Sequence, residues 1–265
     1  LVAYLLKVAR EAQEHTSWVN PNHAYEGALE RFVRRTLDPT TSARFLDDIA
    51  SFSREIAQAG AMTGLSMQVL KLMSPGVPDI YQGTERWDFS LVDPDNRRPV
   101  DFGALESMVS DLTKSEDKAA LVQRMAASID DGAIKLYTTM TLLGLRRTHP
   151  ELFTHGEYIE VGVEGELSDQ VIAFARRHAD KTVIVVVPRL LRSLIRRTDE
   201  VPLGDAVWGD TRVVLSGGEL GEFVNVLTGQ SIPCENDGTI PVAAILNMLP
   251  VGCLLADHEN PGGNG

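Results

Sequence analysis

Residues 75–101 read PGVPDIYQGTERWDFSLVDPDNRRPVD, and this stretch constrains the fold more than any other. Residues 77–81 are a short apolar piece bracketed by Pro75, Gly76 and Gly83, the pattern of a short buried strand whose ends are set by turn formers. A loop crowded with hydrogen-bonding groups follows: Thr84, Glu85, Arg86, Trp87, Asp88, Asp93, Asp95, Asn96, Arg97, Arg98 and Asp101. A surface turn needs no such density for solubility. A helical pattern precedes the strand, and a polar loop leaving the carboxyl end of a strand is where α/β architectures bind substrates.

Upstream, the spacing of Leu1, Tyr4, Leu5, Val8, Ala9 and Ala12 predicts a helix from residue 1 to about 14. With no initiator methionine and no N-cap residue ahead of it, the chain is expected to be a piece of a longer protein. Asn20-Pro21 breaks the pattern, and a second helix is expected over 24–37. His15 and Trp18 suit a sugar face, but a tryptophan's large apolar area more often goes to packing, here at the helix junction. A helix over 43–59, N-capped by Thr41 or Ser42, should bury Phe45, Leu46, Ile49, Phe52 and Ile56 and stop at Gly60; another over 62–73 is apolar on several sides.

Beyond the loop, 102–128 reads as a charged, solvated helix and 133–148 as a helix stopped by Pro150. After residue 155 the helical period fades. β-branched runs at 158–163, 171–175, 182–187, 211–215, 223–227 and 249–256, separated by turns such as Ser216-Gly217-Gly218 and Asn236-Asp237-Gly238, predict an antiparallel sandwich over 155–258. The basic segment 189–197 is expected to wrap the sandwich edge rather than to meet a membrane, and 259–265 to be a disordered tail.

A net charge of −12 supplies no basic stripe for nucleic acid and leaves a neutral ligand such as a sugar compatible. Two cysteines, Cys234 and Cys253, make neither a disulfide framework nor a metal-ligand spacing. No run reaches the ~20 apolar residues of a membrane span. A cytoplasmic location without cofactor or metal is expected.

The run from Gly76 to Glu85 resembles the last barrel strand of the α-amylase superfamily, and 91–101, LVDPDNRRPVD, resembles the maltooligosyl trehalose synthases within it. The HTSW segment at 15–18 and the handover RRTHPELF at 146–153 are similar to the same family. The resemblance implies an α+β fragment: helices and the last strand (77–81) of a (β/α)8 barrel over 1–154, with a substrate loop at 82–101, then the all-β C-terminal sandwich. It implies a maltooligosaccharide substrate, whose reducing-end α-1,4 bond is isomerised to α,α-1,1 by intramolecular transglycosylation. Another α-amylase-type hydrolase or transglucosidase, or a stand-alone carbohydrate-binding module, are the alternatives.

Retaining glycoside chemistry needs a nucleophilic and an acidic carboxyl ~5 to 5.5 Å apart. In this superfamily the catalytic carboxylates leave earlier strands, so none is placed here and the chain alone should be inactive. Glu85, Asp88 and Asp93 lie beside Arg86, Arg97 and Arg98, which favours ion-paired, ionised carboxylates over a general acid of raised pKa. The expected contribution is one wall of the pocket, from Gln82, Thr84, Glu85, Trp87, Asp93, Asn96, Arg97 and Arg98. For each of these a plain turn or staple role stands equally open. The missing N-terminal part of the barrel is an expected partner, and its absence should expose an apolar surface around residues 45–73 that invites self-association.

Overall fold

A computed structural model describes residues 1–115, 117–195, 201–215 and 221–257. The tail 259–265, the turn at Ser216 and the end of the basic segment, Arg196 and Arg197, lie outside the described residues. Packing divides the chain into two compact units, Leu1–Glu55 with Asp88–Asp101, and Ile56–Trp87 with the described residues from Phe102 on.

The first unit holds α1 (Val2–Ala12), α2 (His23–Thr36) and the start of α3 (Pro39–Met73). Its described residues include one buried apolar side chain, Val33, so it cannot rest on a core. A polar staple does the joining. Arg10 donates from Nε and Nη2 to the two oxygens of Glu26 at 2.8 and 2.7 Å, and the Thr16 hydroxyl donates to the same carboxylate at 2.7 Å. These bonds hold the Glu26 carboxyl down at about 2. Trp18 does not fill the helix junction: it is 57% exposed, with the Arg10 guanidinium 4.9 Å over its ring.

Asp38 caps a first turn by accepting from the Thr40 N–H at 2.8 Å, and Ser42, at φ −129° and ψ 32°, breaks the helix where the sequence places the start of the next one, although its hydroxyl donates to the Arg35 carbonyl rather than to the helix. Gly60 does not end a helix either, because α3 runs through it. A helical glycine costs only ~1 kcal/mol relative to alanine, and Met62, Leu65, Val69 and Leu72, all fully buried beyond it, outweigh that. The stripe Phe45, Ile49 and Phe52, expected inside, is exposed, since nothing in its unit covers it.

In the second unit the charged stretch after residue 101 is two helices, α4 (Phe102–Thr113) and α5 (Lys118–Ala127), because Asp117 caps α5 by accepting from the Ala120 N–H at 2.9 Å. Next comes α6 (Ala133–Thr148). Pro150 ends it as expected and also opens the short α7 (Pro150–Thr154), where a missing N–H is harmless.

Nine strands follow among the described residues: β1 (Glu157–Glu160), β2 (Gly162–Glu164), β3 (Val171–His178), β4 (Lys181–Pro188), β5 (Arg212–Val214), β6 (Glu222–Asn225), β7 (Ser231–Pro233), β8 (Thr239–Pro241) and β9 (Gly252–Asp257). Two one-turn helices, α8 (Asp205–Trp208) and α9 (Val242–Ile245), are interleaved with them. Every described pairing is antiparallel, in a six-stranded sheet ordered β1-β3-β4-β9-β6-β7 and a three-stranded sheet β2-β5-β8. Alternation on β4 explains its unbroken apolar run. Val183, Val185 and Val187 join a cluster with α3, α5, α6 and α7, whereas Ile184 and Val186 join one with Val213, Ile240 and α9. Helices and large sheet therefore share one core across residue 154.

Residues 77–81 form no strand. They run without secondary structure, with Val77 96% exposed, because a central strand needs neighbours on both edges and none of the described residues pairs with them.

Candidate functional site

The substrate loop expected over 82–101 is shared between the two units at Trp87/Asp88. Gln82, Thr84, Glu85 and Trp87 belong with the second unit. Asp93, Asn96, Arg97 and Arg98 belong with the first.

In the second-unit half, Gly76 (φ 110°) turns the chain out of α3 and Gly83 (φ 89°) turns it again, both in backbone that only glycine enters without strain. The Glu85 carboxylate accepts from the Gly83 N–H at 2.8 Å, and the Thr84 hydroxyl donates to the Tyr81 carbonyl at 2.6 Å. Gln82 is exposed at the tip. Trp87 is anchored. Its indole N–H donates to the Ile129 carbonyl at 2.6 Å, the Lys135 ammonium lies 5.5 Å from its ring centre, and Gly132 leaves the space its backbone and ring edge occupy. Arg86 donates to the Asp131 carbonyl rather than to a loop carboxylate.

In the first-unit half, residues 95–97 make a 3-10 turn. Arg97 holds Asp93 with Nε and Nη2 at 3.0 and 2.7 Å, and those bonds, first among its causes, lower the Asp93 pKa. Arg98 lies 3.2 Å from the Asp95 carboxylate and donates to the Asp95 carbonyl and the Ser90 hydroxyl. The Asn96 side-chain oxygen is covered and has no partner. Phe89, 88% exposed, and Trp87, half-buried, flank the change of unit.

Chemically, Arg97 favours the ionised form of the Asp93 carboxyl, an acceptor suited to binding hydroxyls and unsuited to donating a proton. Gln82 leaves its amide exposed. Among the described residues no three His, Cys, Asp or Glu side chains gather as a metal site, and no helix is long and apolar enough to cross a membrane. Two residues that fix the loop, Lys135 and Arg146, escape sequence reasoning. Their bonds go to backbone carbonyls, which leave no trace in side-chain spacing; the only available signal was a cation near each end of α6.

Helices and antiparallel sheets that follow one another along the chain, joined through a common core and carrying this polar loop, define an α+β protein. No family profile matches the sequence. In structure, the maltooligosyltrehalose synthase of Arthrobacter ramosus superposes with a TM-score of 0.72 at 35% identity, over 96% of this chain and 29% of that one, and a mutant of the same enzyme superposes with 0.73. A further structure of a maltooligosyl trehalose synthase gives 0.64 at 31% identity, again over 96% and 29%. A curated relative from Mycobacterium tuberculosis, provisionally given the same enzyme name, is 36% identical over 260 residues, which are 97% of this chain and 28% of that protein. The chain belongs to the maltooligosyl trehalose synthase family, and it spans under a third of the length of the relatives it matches.

Proposed function

We propose that this chain is the C-terminal part of a maltooligosyl trehalose synthase acting in the cytoplasm. The whole enzyme rearranges the reducing-end α-1,4 bond of a maltooligosaccharide to α,α-1,1 by intramolecular transglycosylation. The single observation that carries this is the 36% identity sustained over 97% of the chain. In this reading residues 77–81 become the eighth strand of a (β/α)8 barrel once the rest of the polypeptide supplies its neighbours, and 155–258 form the C-terminal sandwich.

The reaction passes through a glycosyl-enzyme, which needs a nucleophile and an acid of raised pKa. The Asp93 carboxyl, held down by Arg97, has the opposite character. The catalytic carboxylates therefore come from the remainder of the protein, and this chain contributes a wall of the pocket. Gln82, Thr84, Glu85, Asp93 and Asn96 meet sugar hydroxyls there, Arg97 and Arg98 hold the loop's acceptors in place, and Trp87 with Phe89 keeps water from the intermediate.

The test is maltopentaose conversion followed by reducing-end assay and released glucose. The full-length protein should remove reducing ends without equivalent glucose release, and the 265-residue chain should do neither. Plain hydrolysis by the full-length protein would make it an amylase-type hydrolase instead. Tight calorimetric binding of maltooligosaccharide by the isolated chain would favour a binding module.

A further inference from the structure

We propose that Arg146 is a positioning residue for the substrate loop: together with Lys135 it makes α6 a template that stretches residues 77–86 into shape. The proposal deepens the assignment of a substrate loop above and rests on it for the kinetic consequence only.

Arg146 sits in the last turn of α6 and donates from Nη1 to the Leu72 carbonyl at the end of α3, and from Nη2 to the Gly76 carbonyl, both at 2.8 Å. One guanidinium thus fixes the helix end and the positive-φ glycine from which 77–81 departs. At the other end of the same helix, Lys135 donates to the Arg86 carbonyl at 2.9 Å, while Trp87 is tied to Ile129 just ahead of α6. The two anchors stand eleven positions apart, about 16 Å along a helix rising 1.5 Å per residue. With the Gly76 carbonyl held at the end of α6 and the Arg86 carbonyl at its start, the chain between them runs back along the helix without any strand hydrogen bond.

Arg146 is itself seated from the β side. Its guanidinium lies 4.8 Å over the Phe153 ring, and the Phe153 carbonyl accepts from Nη2 of Arg176 on β3 at 3.2 Å. Arg176 is only 2% exposed, also donates to the Gly156 carbonyl at 2.9 Å, and leaves Nε and Nη1 without partners. Burial and the nearby Arg146 charge both lower its pKa. Two guanidinium groups held close at this cost fit a device that carries the rigidity of the large sheet, through Phe153 and Arg146, to the start of the loop.

The test has two arms. Amide exchange on the 265-residue chain reads Gly83 and Thr84, whose N–H groups donate to Glu85 and to the Tyr81 carbonyl. Arg146→Met should speed their exchange roughly tenfold, as loss of bonds from a charged donor implies, with β3, β4 and β9 unchanged. Arg146→Lys, which can reach one of the two carbonyls, should fall between. In the full-length protein the same series should raise KM for maltooligosaccharide several-fold, in rank order with exchange, at nearly constant kcat. Unchanged exchange at Gly83 and Thr84 in a folded Arg146→Met variant overturns the proposal. If that variant does not fold, Arg146→Lys and Gly76→Ala decide in its place by the same readout. If exchange rises while wild-type enzyme fails to rearrange maltopentaose, the positioning role stands and the assigned reaction falls.

Discussion

Trp87 donates its indole N–H to the carbonyl of Ile129, 42 positions away, at 2.6 Å. The bond rivets the loop to the entrance of α6, with Gly132 shaped to receive it. Trp87→Phe keeps most of the apolar contact and leaves the Ile129 carbonyl with only the longer bond from the Gly132 N–H, at a cost of about 1 kcal/mol. Trp87→Ala removes the ring as well and should cost ~3 kcal/mol. Urea unfolding of both variants checks the ranking. Equal stability of all three proteins would leave the ring free to serve substrate alone.

Asp93 and Arg97 are four positions apart and joined by two hydrogen bonds. Removing the guanidinium in Arg97→Met should let the Asp93 pKa rise back toward the ordinary ~3.9 of an aspartate. Carboxyl NMR titration reads this directly. The sign follows from the direction of the shift: the pair contributes to loop order above the unfolded pKa, and the contribution is lost as pH falls through the depressed one. An Asp93 titration identical in wild type and variant would show the pair to be dispensable in solution.

The pair of Asp93 with Arg97 was legible because ion pairing at i, i+4 is local, whereas Glu85 accepts from the Gly83 N–H and Arg86 turns to the Asp131 carbonyl, contacts that side-chain adjacency does not reveal. The long strands were legible for a related reason, since an unbroken β-branched run is written along β4, which is buried almost throughout. What escaped depends on distant partners or on competition between small terms. The extended piece at 77–81 has strand composition, yet pairing is a property of neighbours. Gly60 has the chemistry of a stop, yet the buried residues after it decide. β7 and β8, three residues each, are too short to show a period.

Phe45, Ile49 and Phe52 repeat at helical spacing and are 48%, 44% and 55% exposed. Such a stripe on a chain that covers under a third of its relatives' length should drive self-association when the chain is prepared alone. Replacing the three by Ser should lower the association seen by sedimentation velocity, while each exposed change alters stability by no more than about 0.5 kcal/mol. A wild-type chain that stays monomeric across the micromolar range would rule the stripe out as a self-association surface.

Glu26 gives the first unit a measurable acid sensitivity. Arg10 and Thr16 hold its carboxyl at about 2, against ~4.3 for an unperturbed glutamate, so in that interval the unfolded chain binds a proton that the folded one refuses. The staple's contribution is complete above the unfolded value, declines as pH falls below it and is gone once pH passes below the folded one. Because the unit has a single buried apolar residue among its described positions, little else compensates. Amide exchange in α1 and α2 should therefore quicken, after correction for intrinsic rates, between about pH 4.5 and about pH 2.5, whereas α6 holds. Glu26→Gln should already exchange faster at neutral pH and add no further step on acidification. Glu26 titrating near the unperturbed value by carboxyl NMR would mean that the Arg10 fork is not closed on it in solution.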